Sequence, residues 1–84
     1  MVRSKVEINH YISCTIHEAR KAERKGEVPI GAIIVHKGEI IGKGHNTVIS
    51  SNSVSCHAEI NAINQASHFL KNYRLTNCDI FISL

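Results

Sequence analysis

The residues best suited to chemistry are His57 and Glu59, two residues apart in the run Cys56-His57-Ala58-Glu59-Ile60-Asn61-Ala62-Ile63. A histidine supplies a ring nitrogen that can hold a transition metal, and a glutamate supplies a carboxylate that can take up and return a proton. The apolar residues that follow have helical spacing, which places the pair at a helix mouth. There, unpaired N–H groups and the positive end of the dipole stabilise a hydroxide, a carboxylate or a developing oxyanion. Two residues span roughly 200° of a helix, so spacing alone does not put both side chains on one face, although in the first turn both can reach a common point above the mouth. Out of context, the same pair fits an ordinary polar first turn in which Glu59 only complements the dipole. Cys56 offers a rival chemistry. A thiol at a helix N-terminus beside a histidine can have a lowered pKa, but a hydrolase built on it needs an oriented base from elsewhere in the fold, which adjacency does not supply.

The elements that must position this pair follow from the periodicity of the chain. Residues 6–25 carry Ile8, Ile12, Ile16, Ala19 and Ala22 at helical spacing, with Gly26 as a left-handed stop and Lys21, Arg24 and Lys25 at the negative end of the dipole. The β-branched run after Pro29 predicts a buried strand over 30–36. Residues 36–39 form a turn, and 40–46 are a second strand completing an antiparallel hairpin. Gly31, Gly42 and Gly44 mark a bulge or close packing by another element. Residues 47–55 have no period and read as a loop long enough to be functional. A second helix is predicted over 57–69, with Ser55 as its N-cap and Ala58, Ile60, Ala62, Ile63, Ala66 and Phe69 as its apolar face. A third strand is predicted over 78–84. Helix, antiparallel strand pair, helix, strand is the opening of a layered α/β sheet.

The 84 residues, 43% hydrophobic with a formal charge of +3, make at most one small domain with a thin stability margin. No run approaches the roughly 18 apolar residues of a membrane span, and the N-terminus lacks the apolar core of a signal peptide, so a cytoplasmic location without membrane association is expected. The three cysteines, Cys14, Cys56 and Cys78, are odd in number and widely spaced, which suits a reducing compartment. His10, His17, His36 and His68 are read as surface or satisfied polar groups. His45 stands apart because it adjoins Asn46 near the helix mouth.

Four segments in order carry a family resemblance: Ala19-Arg20-Lys21-Ala22, Gly26-Glu27-Val28-Pro29-Ile30-Gly31-Ala32, Cys56-His57-Ala58-Glu59-Ile60 and Asn72-Tyr73-Arg74-Leu75. Together they resemble the zinc-dependent cytidine and deoxycytidylate deaminase superfamily, whose signature is His-x-Glu followed by Pro-Cys-x-x-Cys, and within it the bacterial tRNA-specific adenosine deaminases. The likeness covers nearly the whole chain and implies a cytidine deaminase-like α/β layered sheet over residues 1–84. It also implies a Zn2+ cofactor with His57 as its nitrogen ligand, and Glu59 as the proton shuttle. Asn46 and the amide of Ala58 would be contacts to the target base. The implied reaction is hydrolytic deamination of adenosine to inosine at the tRNA wobble position, with the anticodon arm as partner and a homodimer as the assembly of the family. A free base or nucleotide such as cytosine, guanine or dCMP is the alternative substrate. A non-catalytic remnant or binding module that pairs through its exposed strand is the alternative role.

After Ile80-Phe81-Ile82-Ser83-Leu84 the family continues with Glu-Pro-Cys-x-x-Cys. The resemblance therefore implies that these 84 residues carry one of three protein ligands, and that on their own they hold zinc weakly and are inactive. The basic residues Arg20, Lys21, Arg24, Lys25, Lys71 and Arg74 are either a solvated face or part of a tRNA-binding surface.

Overall fold

A computed structural model of the chain describes residues 4–49, 57–71 and 74–83. The first helix, α1 (Lys5–Arg24), starts where local chemistry dictates. The Ser4 side chain accepts the Glu7 N–H at 3.1 Å while the Glu7 carboxylate accepts the Ser4 N–H at 3.3 Å, a reciprocal capping box. It ends at Gly26, whose φ of +76° belongs to the left-handed region. The N–H groups of Gly26 and Glu27 donate to the carbonyls of Glu23 and Ala22, both at 3.0 Å, and so satisfy the last turn.

Three strands follow the predicted pattern: β1 (Gly31–His36), β2 (Glu39–His45) and β3 (Cys78–Ser83). Lys37 and Gly38, with φ of +51° and +79°, form the two-residue hairpin turn whose twist matches the flanking strands. The order is β2-β1-β3, with β1 antiparallel to both neighbours. Along β1, Gly31 faces His45 and Ser83 at one end, and His36 faces Glu39 and Cys78 at the other. The register shifts after Ile34, which pairs with Gly42 while Val35 pairs with Ile40. Ile41 is the extra residue of a bulge.

The second helix, α2 (Ala58–Leu70), covers one face of the sheet and α1 covers the other. Ala32, Ile34 and Ile41 pack with Ala58, Ala62 and Ala66, while Ile33 and Val35 pack with Tyr11 on the opposite side. β1 is thus buried on both faces, which explains its unbroken apolar run.

Both helices differ from expectation in which residues face inward. On α1 the buried face is Tyr11, Thr15, Glu18, Ala19 and Ala22, whereas Ile12 and Ile16 are 44% and 41% exposed. On α2 it is Ala58, Ala62 and Ala66, whereas Ile60 and Phe69 are 39% and 57% exposed. The cause is close approach. A Cβ at Gly31 would strike the Thr15 carbonyl and lie 2.6 Å from the Ala19 nitrogen; one at Gly44 would strike the Ala58 carbonyl and lie 2.5 Å from the Ala62 nitrogen. Helix backbones seated this near a strand admit only small or slender side chains at the contact, and the bulkier isoleucines are displaced to the rim.

Candidate active site

α2 begins at Ala58, so His57 is its N-cap residue, with extended backbone (φ −80°, ψ 158°) and no capping bond from its own side chain. The expected cap, Ser55, lies outside the described residues, and the cap position itself belongs to His57. This changes the geometry of the His57–Glu59 pair. The 100° per residue of a helical wheel does not apply to an extended residue, so the roughly 200° separation inferred from spacing falls away. Glu59 occupies the first turn, half-buried, where a carboxylate complements the dipole.

The orphan N–H of Ala58 is satisfied from a distance. It donates to Asn46 Oδ1 at 2.8 Å, in a buried contact twelve residues apart in sequence. Asn46 is 5% exposed and sits directly after β2, and its own N–H donates to the Ile30 carbonyl at 3.3 Å. Asn61, one turn into α2, donates from Nδ2 to the His45 carbonyl at 2.8 Å and to Thr47 Oγ1 at 3.1 Å. Gln65, one turn further, accepts the Lys43 N–H at 2.7 Å. Polar side chains of α2 thereby satisfy the outer edge of β2. The structure thus brings His57, Ala58, Glu59 and Asn46 to one end of the molecule, with Asn46 and Ala58 in direct contact.

Two buried acids escape a reading of the sequence. Glu18 is 3% exposed, with His45 Nδ1 3.2 Å from Oε1 and Lys21 Nζ 2.8 Å from Oε2. Burial pushes its carboxyl pKa up, but pairing with Lys21 and His45 outweighs this and holds it below the usual range. Glu27 is 5% exposed and accepts the Ile49 N–H at 2.9 Å. Spacing held the signal for Glu18, which lies three residues after Thr15 and four before Ala22, on the small-residue stripe.

No group of three His, Cys, Asp or Glu side chains that could hold a metal occurs among the described residues. Cys78 pairs with His36 (Sγ to Nδ1, 3.6 Å) at the far end of β1, roughly 16 Å along the strand from the His45 end. Burial, with the charge of Asp79, raises its thiol pKa. Cys14 lies on α1 beside His10. Cys56 is outside the described residues. His57 is therefore a lone ligand candidate, and the residues described do not by themselves fit a resident zinc ion.

Comparison with known proteins gives this site a setting. Residues 5–84 match the family described as the cytidine and deoxycytidylate deaminase zinc-binding region. The chain is 45% identical over 76 residues to the tRNA-specific adenosine deaminase of Buchnera aphidicola subsp. Schizaphis graminum, covering 90% of this chain and 50% of that protein. It is 41% identical over 75 residues to the protein of the same name from Aquifex aeolicus, covering 89% and 50%. The chain spans about half the length of the curated relatives it matches. Among solved structures, one from work on A-to-I editing at the wobble position of transfer RNA superposes with a TM-score of 0.89 at 36% identity, covering 92% of this chain and 59% of that one. A guanine deaminase from Bacillus subtilis superposes with a TM-score of 0.84 at 34% identity, covering 89% and 48%. No described helix is long and apolar enough to cross a membrane.

Proposed function

This chain belongs to the cytidine and deoxycytidylate deaminase family, and we propose that it contributes half of a site that deaminates adenosine to inosine at the wobble position of tRNA. The observation that carries the reading is the hydrogen bond from the Ala58 N–H to Asn46 Oδ1. A backbone N–H can only donate, so it fixes which way the asparagine amide lies: oxygen to the helix, NH2 free to donate. At the helix mouth, Asn46 therefore offers a donor to an acceptor nitrogen of a base. The Ala58 amide, assigned by resemblance to the base, is spent on holding Asn46.

Glu59 is the proton carrier. Water adds at carbon 6 of adenine, the carboxylate takes its proton, and the proton passes to the departing amine. The carbon–nitrogen bond breaks, ammonia leaves and the base becomes hypoxanthine, with no change of oxidation state. His57 occupies the family's nitrogen-ligand position for zinc. One imidazole is a third of such a ligand set, and no step is assigned to a metal on the residues described.

The tRNA names of the relatives support the anticodon arm as the proposed substrate; homodimeric assembly and a cytoplasmic location are proposed with it on the family resemblance alone. Of the basic residues near the C-terminus of α1, Lys21 is paired with Glu18, and Lys25 Nζ lies 3.3 Å from His45 Nε2. Arg20 and Arg24, exposed on that helix, would face phosphate. The resemblance to guanine deaminase supports a second reading, since an NH2 donor also suits an acceptor nitrogen of free guanine.

A fusion of residues 1–84 to the unmatched half of the Buchnera relative tests the proposal. Mass spectrometry of a tRNA carrying adenosine at the wobble position should show inosine, and Glu59→Gln should slow its formation by about 10²-fold or more. A folded fusion that leaves that tRNA unchanged while deaminating guanine would establish the second reading instead.

A further inference from the structure

Glu18 is out of place by ordinary rules. Carboxylates are seldom fully buried unless paired, and its neighbours on α1, Thr15, Ala19 and Ala22, form a stripe of small residues pressed against β1. Lys21 is a partner that any helix could offer, three residues along and 40% exposed in its side chain. The informative partner is His45, 27 residues away at the end of β2, with a side chain only 17% exposed.

The tautomer of His45 follows from what surrounds it. Lys25 Nζ lies 3.3 Å from Nε2. An ammonium group has only protons to give, so Nε2 must accept, and the ring proton sits on Nδ1 and is donated to Glu18 Oε1. A line of three groups results, Lys25 to His45 to Glu18, in which α1 and the residue that caps its C-terminus hold the ring on both of its nitrogens. The His45 carbonyl is held from the other side by Asn61 of α2. The next residue is Asn46. Across the ladder, His45 pairs with Gly31 of β1, which has no side chain with which to steady the corner.

We propose that Glu18 and His45 are a positioning couple: they lock the end of β2 to α1, and so place Asn46 where it receives the Ala58 amide and meets the base. The role of Asn46 at the base is the premise taken from the preceding section. The couple acts through Asn46 and touches no substrate itself. The charge state of Glu18 agrees with this, since pairing keeps its carboxyl below the ordinary range and leaves it an anion at neutral pH.

NMR of the 15N-labelled 84-residue chain tests the couple without reading enzyme activity. In the wild type, the imidazole nitrogen shifts of His45 should show the proton on Nδ1 and an accepting Nε2. In Glu18→Ala, the Ala58 amide should exchange about tenfold faster or more, while the Ile33 and Val35 amides in the core of β1 keep their wild-type rates. In Glu18→Gln, whose side-chain oxygen still accepts the Nδ1 proton, Ala58 should stay within about threefold of wild type. A wild-type ring protonated on Nε2 overturns the proposal, and this measurement stands even where Glu18→Ala does not fold. Ala58 exchange that is unchanged in Glu18→Ala, or that rises in step with Ile33 and Val35, overturns it too. A chain that passes these tests and never deaminates in the fusion refutes the function and leaves the couple intact.

Discussion

Asn46 holds the Ala58 N–H with its amide oxygen, and the proposed function gives its NH2 to the base; substitution can separate the two. Asn46→Asp keeps an oxygen for the Ala58 N–H and places a negative charge at a helix N-terminus, where it is worth about 0.3–1 kcal/mol in favour of the helix. It also removes the NH2 donor. Asn46→Leu removes both and leaves a buried N–H unpaired, at a cost of about 1–3 kcal/mol. Thermal or urea unfolding should therefore rank Asp above Leu. In the fusion, both variants should lose inosine formation. An Asp variant that deaminates like wild type would mean that the NH2 group makes no contact to the base.

At the scale of elements, the sequence was a good guide to where each began and ended. The predicted helix over 6–25 is observed at Lys5–Arg24, and the strands over 30–36 and 40–46 at Gly31–His36 and Glu39–His45. Periodicity, a glycine stop and a lysine-glycine turn are local signals, and local chemistry decided those boundaries. What was not legible depends on contacts across the chain. The N-cap of α2 is His57 rather than Ser55, and the Ala58 N–H is met by an asparagine twelve residues upstream. Ile12, Ile16, Ile60 and Phe69 had the right spacing for a core but lost their places to threonine and alanine, because three glycines draw the helices onto the sheet. Glu18 lay on the small-residue stripe, but its charge suggested solvent, and only the fold supplies His45. This close packing predicts that Gly44→Ala, whose methyl would enter the Ala58 carbonyl and the Ala62 amide, pushes α2 outward. The expected loss is about 1–3 kcal/mol in urea unfolding. Because Ala58 moves with the helix, Asn46 should also lose its contact, seen as faster Ala58 amide exchange. A Gly44→Ala chain with wild-type stability would contradict such close seating.

For the whole molecule, the described residues form a layered unit with one finished side and one open side. On the outer edge of β2 the Lys43 N–H and the His45 carbonyl are met by Gln65 and Asn61, whereas β3 pairs with β1 alone among the described strands. On β3, Ile80 and Ile82 are each 46% exposed, and both pair with β1 residues that face α2. At the mouth of α2 stand Glu59, Asn46 and His57, the residues proposed as proton carrier, base contact and metal ligand. His57 is proposed as one ligand of a divided set. Zinc content of the purified 84-residue chain, measured by atomic absorption after dialysis against a weak chelator, tests it most directly. One imidazole should leave the chain well below one zinc per molecule, and one firmly held zinc per chain would contradict the account.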